Sequence, residues 1–554
     1  TSEVGFSERT DVVVEPRLSL QWWVDMKKLA GPALKAVMDE EIKFYPSKFK
    51  NLYRHWMENI RDWCISRQLW WGHRIPAWYA PDGSYAVAAT KEEAYQKLKG
   101  QWTTSPAGRQ VVNGQPGAPV HPGSFNIDDL KQDEDCLDTW FSSWLWPFEV
   151  FKGYSDPGNK EAAYYYPTNT LVTAPEIIFF WVARMIMAGF EYKKEKPFRE
   201  VYFTGIVRDK LGRKMSKQLG NSPDLLEMIE KDGADAVRFG IMISSPAGND
   251  LMWDPAGNEQ GRFFINKMWN ALKLVKSWEE RAVRQEAGER NFAVEWFENR
   301  LLEARAGIEE MYRDFRLSEI LKTIYSLIWD DFCSWYLEWV KPGFEQPVDK
   351  TVYEKTTGFF EQLMQLLHPF MPFVTEEIYH QLKEQTGDLV VKLYPPVKQV
   401  DQKILDEAVL LKEVISGVRD ARNKNQLKPK ETIKLHIDSP DRDRYKAIEH
   451  ILSKQVNAEW VRYATDPIPG SITVVVRKDK FYLETTAVAD TGSQKEQLLK
   501  DLDYLKGFLV SVEKKLGNDR FIRNARPDVI ETERKKKADA EAKIRVIEES
   551  LASL

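Results

Sequence analysis

The sequence predicts a multidomain protein: an α/β domain first, then a helical bundle, a small α+β module and a C-terminal antiparallel coiled coil. Three observations predict it. The chain has 554 residues, more than a single hydrophobic core supports. Its apolar spacing changes along the way, from strand-like runs mixed with helical ones before about residue 257 to unbroken helical spacing over 258–400, and then back to alternation. From about 494 the positions Leu498, Leu502, Leu505, Leu509, Val512 and Leu516 alternate steps of four and three, the seam of a coiled coil.

Within the first part, runs at 169–173 and 200–204 read as strands, set among helical segments rich in tryptophan. Between 79 and 132 a Gly/Pro/Ser-rich stretch surrounds one short helix at 91–99, which predicts an insertion lobe. Over 258–400 the spacing of Phe264, Met268, Ala271, Leu272 and Val275 predicts one buried helix face of a bundle. After Pro395-Pro396 a helix at 406–424 and alternating runs at 432–437 and 472–476 predict an α+β module over 401–489. In the last segment, 490–554, the second apolar repeat is Ile544, Ile547, Leu551 and Leu554. Gly517-Asn518 and Pro527 break the pattern between the repeats, so the two helices fold back on each other.

With 43% hydrophobic and 29% charged residues, the composition is that of an ordinary globular protein. The longest apolar stretch, 177–190, is interrupted by Arg184 and falls short of the roughly 20 apolar residues that span a bilayer, so no membrane association is expected. The first residues carry no secretory pattern. Cys64, Cys136 and Cys333 stand too far apart for a Cys-x-x-Cys knuckle, which predicts a reducing, cytoplasmic setting and no structural zinc. A net charge of -5 excludes a uniformly basic coat but leaves room for a local basic face. A chain that opens on Thr1 and reads as mid-domain at Ser7-Glu-Arg-Thr10 is expected to be a piece of a longer protein.

The segment from Gly205 to Asn221 carries the chemistry. It follows directly on the strand that ends near Thr204 and contains Lys214-Met215-Ser216-Lys217-Gln218 between glycines. Two ammonium groups on flexible stems can approach a bound triphosphate and offset the charge that develops when the α-phosphate is attacked. A solvated surface turn satisfies the same composition. Downstream, Ser222 reads as an N-cap, Pro223 as a first helical position and Asp224 as a favourable first-turn charge, with the helix ending near Gly233.

Lys214-Met-Ser-Lys217 resembles the Lys-Met-Ser-Lys-Ser signature of the class I aminoacyl-tRNA synthetases, and Gly233-Ala-Asp-Ala-Val-Arg-Phe239 matches the helix those enzymes place after it. The resemblance covers nearly the whole chain. The run from Trp56 to Trp78, the Asp138-Thr-Trp140-Phe-Ser-Ser phrase and the run from Ile177 to Arg184 are similar to the valyl members of the family. The resemblance implies the distal half of a class I Rossmann-like nucleotide-binding domain over 21–257, with residues 1–20 as the exit of an editing insertion. It implies that Lys217 and Lys214 contact ATP, that Ser216 completes the mobile loop, and that ATP arrives with Mg2+. Two departures stand out: Gln218 replaces the fifth signature serine, and Ala174-Pro175-Glu176 stands where the valyl enzymes have Gly-Tyr-Asp.

In the valyl enzymes an apolar pocket for the isopropyl group corresponds to Trp140, Ile177 and Trp181 of this chain. Residues 177 and 181 are four apart and share a face if helical; a packed aromatic core has the same spacing. The companion His-x-Gly-His signature is absent, because none of the seven histidines stands within three residues of another. The chain alone is therefore expected not to activate valine, and a tRNA-binding module without chemistry is the second reading, an isoleucyl relative the third.

Phe332-Cys-Ser-Trp-Tyr-Leu-Glu-Trp339 and the run from Leu367 to Glu377 look like the family's anticodon-binding bundle, with most of these rings in its core. A C-terminal coiled-coil arm touching tRNA is usual in valyl enzymes. Lys514, Lys515, Arg520, Arg523, Arg526, Arg534, Lys535, Lys536 and Lys537 cluster around its expected tip, where they would meet phosphate without reading bases. The expected partners are tRNA(Val), valine and ATP, with the chain a monomer.

Overall fold

The computed structural model describes residues 4–553 apart from 8–9, 16–17, 103–110, 113–114, 117–124, 217–218, 246, 285–290, 386, 397, 429, 486–490, 519–520, 523–524 and 526. The chain divides into two compact units, Thr1–Asn221 with Ser245–Trp253, and Ser222–Ser244 with Asp254–Leu554.

The first unit is built on a three-stranded parallel sheet in which Phe198–Phe203 lies between Thr168–Thr173 and Lys43–Tyr45. The two strands expected at 169–173 and 200–204 are present with slightly earlier starts. The central strand is apolar on both faces, with Phe198, Val201, Tyr202 and Phe203 buried, as a covered parallel strand must be. Helix Met26–Met38 covers it with Met26, Ala30, Ala33 and Val37, spaced four, three and four apart. Phe44 meets Phe203 edge to face at 5.1 Å, which fixes the first strand against the second. The apolar run after 177 packs here too, as a π-helical turn Ile178–Val182, an α-helical turn Ala183–Ala188 and a second π-helical turn Gly189–Lys193.

The insertion has its own small core. Strand Ala77–Tyr79 pairs antiparallel with Tyr85–Val87 and with Lys131–Gln132, and helix Lys91–Trp102 packs on them through Ala94 and Leu98. That helix runs three residues past the expected end. Asp133 ties the lobe down, accepting from Trp22 Nε1 and Tyr79 Oη at 2.9 Å each.

The second unit begins with helix Leu225–Asp232. Its N-cap is Asp224, whose Oδ1 accepts from the amides of Leu226 at 2.8 Å and Glu227 at 3.3 Å. The expected Ser222 cap is thus displaced by two residues, because a carboxylate at 224 reaches two amides and also complements the helix dipole. Helix Ala234–Ile243 then packs on Ala256–Lys276 so closely that a Cβ on Gly240 would lie 2.6 Å from Asn258 Oδ1. For this reason residues 222–244 group with the helices that follow rather than with the sheet before them.

The bundle comprises Ala256–Lys276, Phe292–Arg313, Leu317–Ser326 with its π-helical continuation Leu327–Tyr336, Lys350–Leu367 and Pro372–Leu382. All five predicted positions, Phe264, Met268, Ala271, Leu272 and Val275, are buried. Helix Gln402–Lys424 begins four residues before the expected 406, because Asp401 caps it by accepting from the Lys403 amide. It packs against a four-stranded sheet in the order 458–463, 433–438, 479–484, 472–476. Ile433, Leu435 and Ile437 are fully buried while Lys434 and His436 alternate outward.

Helices Thr491–Leu516 and Pro527–Ser553 close the chain as a hairpin. The ion pairs Lys506–Glu548 at 2.8 Å, Lys537–Glu513 at 2.8 Å and Lys515–Glu533 at 3.7 Å run in opposite sequence order, so the helices are antiparallel. Leu498, Val512, Ile544 and Ile547 are buried along the predicted seam. Leu554 lies outside the described residues. Among the described residues no helix is long and apolar enough to cross a membrane.

Candidate functional site

The strand Phe198–Phe203 delivers the chain into the signature loop. Thr204 donates its amide to Thr173 O at 2.9 Å, and at Gly205 the backbone turns so close to residue 249 that a Cβ would fall 1.8 Å from Asn249 O. Only glycine fits there. Val207–Arg208 then pairs in parallel with Leu251–Met252, and Arg208 binds Asp250 through its guanidinium.

Asp209 organises the turn. Its Oδ1 accepts from the amides of Leu211 at 3.0 Å and Arg213 at 2.8 Å, and its Oδ2 from Asn221 Nδ2 at 3.0 Å and Arg213 Nε at 2.8 Å. These donors, the Asn221 amide first, hold the Asp209 carboxyl down at about 2. Asn221 reaches across the loop base, accepting from the Ser216 amide at 2.9 Å and donating to Lys214 O at 3.2 Å. Lys214 lies on the described part of the loop, with Nζ 3.1 Å from Glu176 Oε2. Lys217 and Gln218 lie outside the described residues. Glu176 ends the phrase that departs from the family pattern, and there it keeps a carboxylate at the third position, within reach of the first lysine.

Glu176 precedes the segment that walls a cavity of about 540 Å3, lined by Trp140, Leu171, Phe180, Trp181, Arg184 and Phe198 among others. Trp140 and Trp181 meet with ring centroids 5.6 Å apart, and Trp140 meets Phe180 edge-on at 4.8 Å. Ile177, the third expected wall residue, is not among the lining residues. It ends a 3-10 turn, Pro175–Ile177, and so stands outside the helical segment that begins at Ile178. The shared helix face expected for 177 and 181 is therefore not formed.

Two polar residues that the sequence reading passed over set the position of Trp140. Asp138 is only 8% exposed, and caps the turn Thr139–Ser142 by accepting the Trp140 amide on Oδ1 at 2.9 Å. Its Oδ2 accepts from Trp63 Nε1 at 3.1 Å and from Arg67. Arg184 lies 7% exposed between the rings, with its guanidinium carbon 3.5 Å from the Trp63 centroid and 5.0 Å from that of Trp140. Its interruption of an otherwise apolar run was the available signal: a charge that the fold must bury.

In the second unit Phe332, Tyr336 and Trp339 are buried as expected, while Phe373 remains 66% exposed. Asp235, from the phrase after the signature, accepts the Val374 amide at 2.6 Å and the Phe373 amide at 3.4 Å, joining the two long sequence phrases at one helix start. Burial pushes its carboxyl above the usual range. Glu376, His380 and Asp388 bring potential metal-ligating atoms within 4.8 Å of one another, and His380 already bonds Glu376 at 3.1 Å. On the hairpin, Lys514, Lys515, Arg534, Lys535, Lys536 and Lys537 fall on described residues, and Arg520, Arg523 and Arg526 outside them. Lys515, Lys536 and Lys537 are engaged by Glu533, Glu533 and Glu513, and Arg534 stands 4.0 Å from Glu531.

Three family models match the chain: tRNA synthetases class I (I, L, M and V) over residues 2–254, the anticodon-binding domain of tRNA ligase over 294–437, and the valyl tRNA synthetase tRNA binding arm over 490–554. Proteins named valine–tRNA ligase are similar along the whole chain. Those of Parabacteroides distasonis and Phocaeicola vulgatus are each 49% identical over 557 residues, and that of Fusobacterium nucleatum is 36% identical over 568. The chain covers 61% of the length of each of these relatives.

Proposed function

This chain belongs to the class I tRNA synthetases, in their valyl branch, and on that premise we propose that it supplies the distal part of a site that activates valine with ATP and passes it to tRNA(Val). In the first step the valine carboxylate attacks the α-phosphate of ATP, giving valyl-adenylate and releasing pyrophosphate. In the second a terminal ribose hydroxyl of the tRNA takes the acyl group and AMP leaves. ATP enters with its Mg2+ as substrate. Lys214 and Lys217 offset charge on the phosphates as pyrophosphate departs, and Ser216 completes the loop. Trp140 and Trp181 wall the side-chain pocket, where a branched three-carbon group is held by fit against flat rings.

The observation that carries this reading is the ion pair of Lys214 with Glu176, which ties the signature loop to the segment bearing Trp181. Exchanging that carboxylate partner for phosphate needs only side-chain motion. Size alone discriminates valine from threonine weakly; the handful of interactions in such a pocket is this enzyme class's known limit, about a hundredfold.

The second reading, a tRNA-binding module without chemistry of its own, is favoured by one fact: within the 554 residues no histidine pair has the His-x-Gly-His spacing. On that ground the chain alone binds tRNA through its bundle and its basic hairpin in a cytoplasmic setting, as a monomer, and does not turn over valine. Valine-dependent pyrophosphate exchange, run beside a tRNA titration, tests both. Binding without exchange is the expected result. Robust exchange by the pure chain overturns the module reading, and failure to bind tRNA overturns both.

A further inference from the structure

Helix Pro372–Leu382 carries Glu376 and His380 one turn apart on one face, and Asp388 comes up to them from beyond the helix's end, just before the 3-10 turn Leu389–Val391. The backbone holds that approach: the Leu389 amide donates to Glu376 Oε1 at 2.7 Å. One oxygen or nitrogen of each of the three side chains lies within 4.8 Å of the others. Both carboxylates converge on a single nitrogen, with Glu376 Oε1 3.1 Å and Asp388 Oδ1 3.4 Å from His380 Nε2.

A neutral imidazole nitrogen carries one proton or one lone pair, so hydrogen bonding serves one of these oxygens well and leaves the other charge without a partner. Lysine does not fill the gap. Lys383 and Lys392 both bind Glu361, and among the described residues no lysine or arginine pairs with Glu376 or Asp388. Burial first, and then the charges of these two carboxylates, raise the neighbouring Tyr379 hydroxyl. A second imidazole is turned to the same place. His368 Nδ1 meets Thr375 Oγ1 at 2.9 Å, and because that hydroxyl gives its proton to Met371 O at 2.7 Å, the imidazole is the donor. Neutral His368 therefore turns the lone pair of Nε2 towards Glu376 Oε2, 3.8 Å away, an opposition that a cation on Glu376 relieves. A proton on either ring neutralises one carboxylate; a divalent ion neutralises both.

We propose that Glu376, His380 and Asp388 bind a divalent transition-metal ion, zinc foremost, with water in the remaining position. Tetrahedral ligands bonded to zinc at about 2.0–2.2 Å stand about 3.3–3.6 Å from one another. The two separations at His380 Nε2 are already 3.1 and 3.4 Å. A nitrogen among the donors favours zinc over magnesium or calcium, which take oxygen. The entry path is open, since the Asp388 side chain is 71% exposed and that of His380 41%. The wide spacing of the cysteines bears on thiolate sites alone. Bound there, the ion clasps the 3-10 turn to the helix and stabilises that corner of the bundle, whether or not the chain performs the chemistry proposed for its first unit.

Calorimetric titration of the 554-residue chain with zinc chloride, after treatment with EDTA and its removal, tests the site. One zinc per chain binds more tightly than any other, and saturating it raises the thermal midpoint by several degrees. His380→Ala and Asp388→Asn, both at exposed positions, each weaken that binding about ten-fold or more and abolish the rise in midpoint. Circular dichroism of the two variants matches that of the wild type, which separates loss of the site from loss of the fold. Absence of zinc binding overturns the proposal, as does equal affinity in the wild type and both variants, which places the zinc elsewhere. Magnesium displacing zinc at equal concentration overturns the choice of a transition metal.

Discussion

Replacing Asp138 with alanine is the sharpest test of how the tryptophan cavity is held. The carboxylate is 8% exposed and serves three donors. Loss of the cap on the Trp140 amide costs about 1 kcal/mol. The Trp63 indole N–H, buried with its ring, is left without an acceptor, at about 1–3 kcal/mol. The Arg67 side chain is 40% exposed and can turn to water, so its share is discounted to the surface range of about 0–1 kcal/mol. The sum is a loss of about 2–5 kcal/mol for Asp138→Ala. Asp138→Asn keeps one acceptor for the Trp140 amide but turns a donor towards Trp63, so about 2 kcal/mol is expected. Hydrogen exchange of a peptide spanning 136–146, followed against urea, reads the change locally and avoids treating a chain of two units as one transition. A loss below about 1 kcal/mol for Asp138→Ala, or equal effects of the two variants, would refute the reasoning.

Three further outcomes are expected. Because Asp209 has a folded pKa of about 2, below the roughly 3.9 of a free aspartate, its stabilisation of the 205–221 loop is complete above about pH 4 and is lost as pH falls towards 2. Exchange protection of that loop, corrected for intrinsic rates, is flat from pH 8 to about 4 and drops below it, and Asp209→Asn removes the pH dependence. Asp235→Ala leaves the Val374 and Phe373 amides without their acceptor and lowers the stability of the helical unit by about 1–3 kcal/mol, read as a reduced thermal midpoint. On the hairpin, Lys535 has no ion pair among the described residues, whereas Lys536 and Lys537 are held by Glu533 and Glu513. Lys535→Ala therefore lowers the slope of log affinity for tRNA against log salt by about 0.7–0.9, and Lys536→Ala by less; equal slopes for the two variants contradict this.

The sequence by itself determined the order and type of the parts. Hydrophobic period is local and covalent, so the buried face of Ala256–Lys276, the alternation in Ile433–Asp438 and the seam through Leu498 and Ile544 were all written in the spacing. The signature loop was legible because its residue types and glycines are contiguous. What the spacing leaves open is any property that depends on which of two nearby conformations the surroundings favour. The helix expected from Ser222 starts after Asp224, where one carboxylate reaches two amides. Ile177 and Trp181, four apart, are parted because the chain passes from a 3-10 turn into a π-helical one between them. Residues 222–244 join the helical unit because Gly240 allows a neighbouring helix to come close. The roles of Glu176, Asp138 and Arg184 lay furthest from reach, since each depends on groups far apart along the chain. Only folding decides which of them find partners and that the guanidinium of Arg184 is buried with two of its nitrogens unfilled.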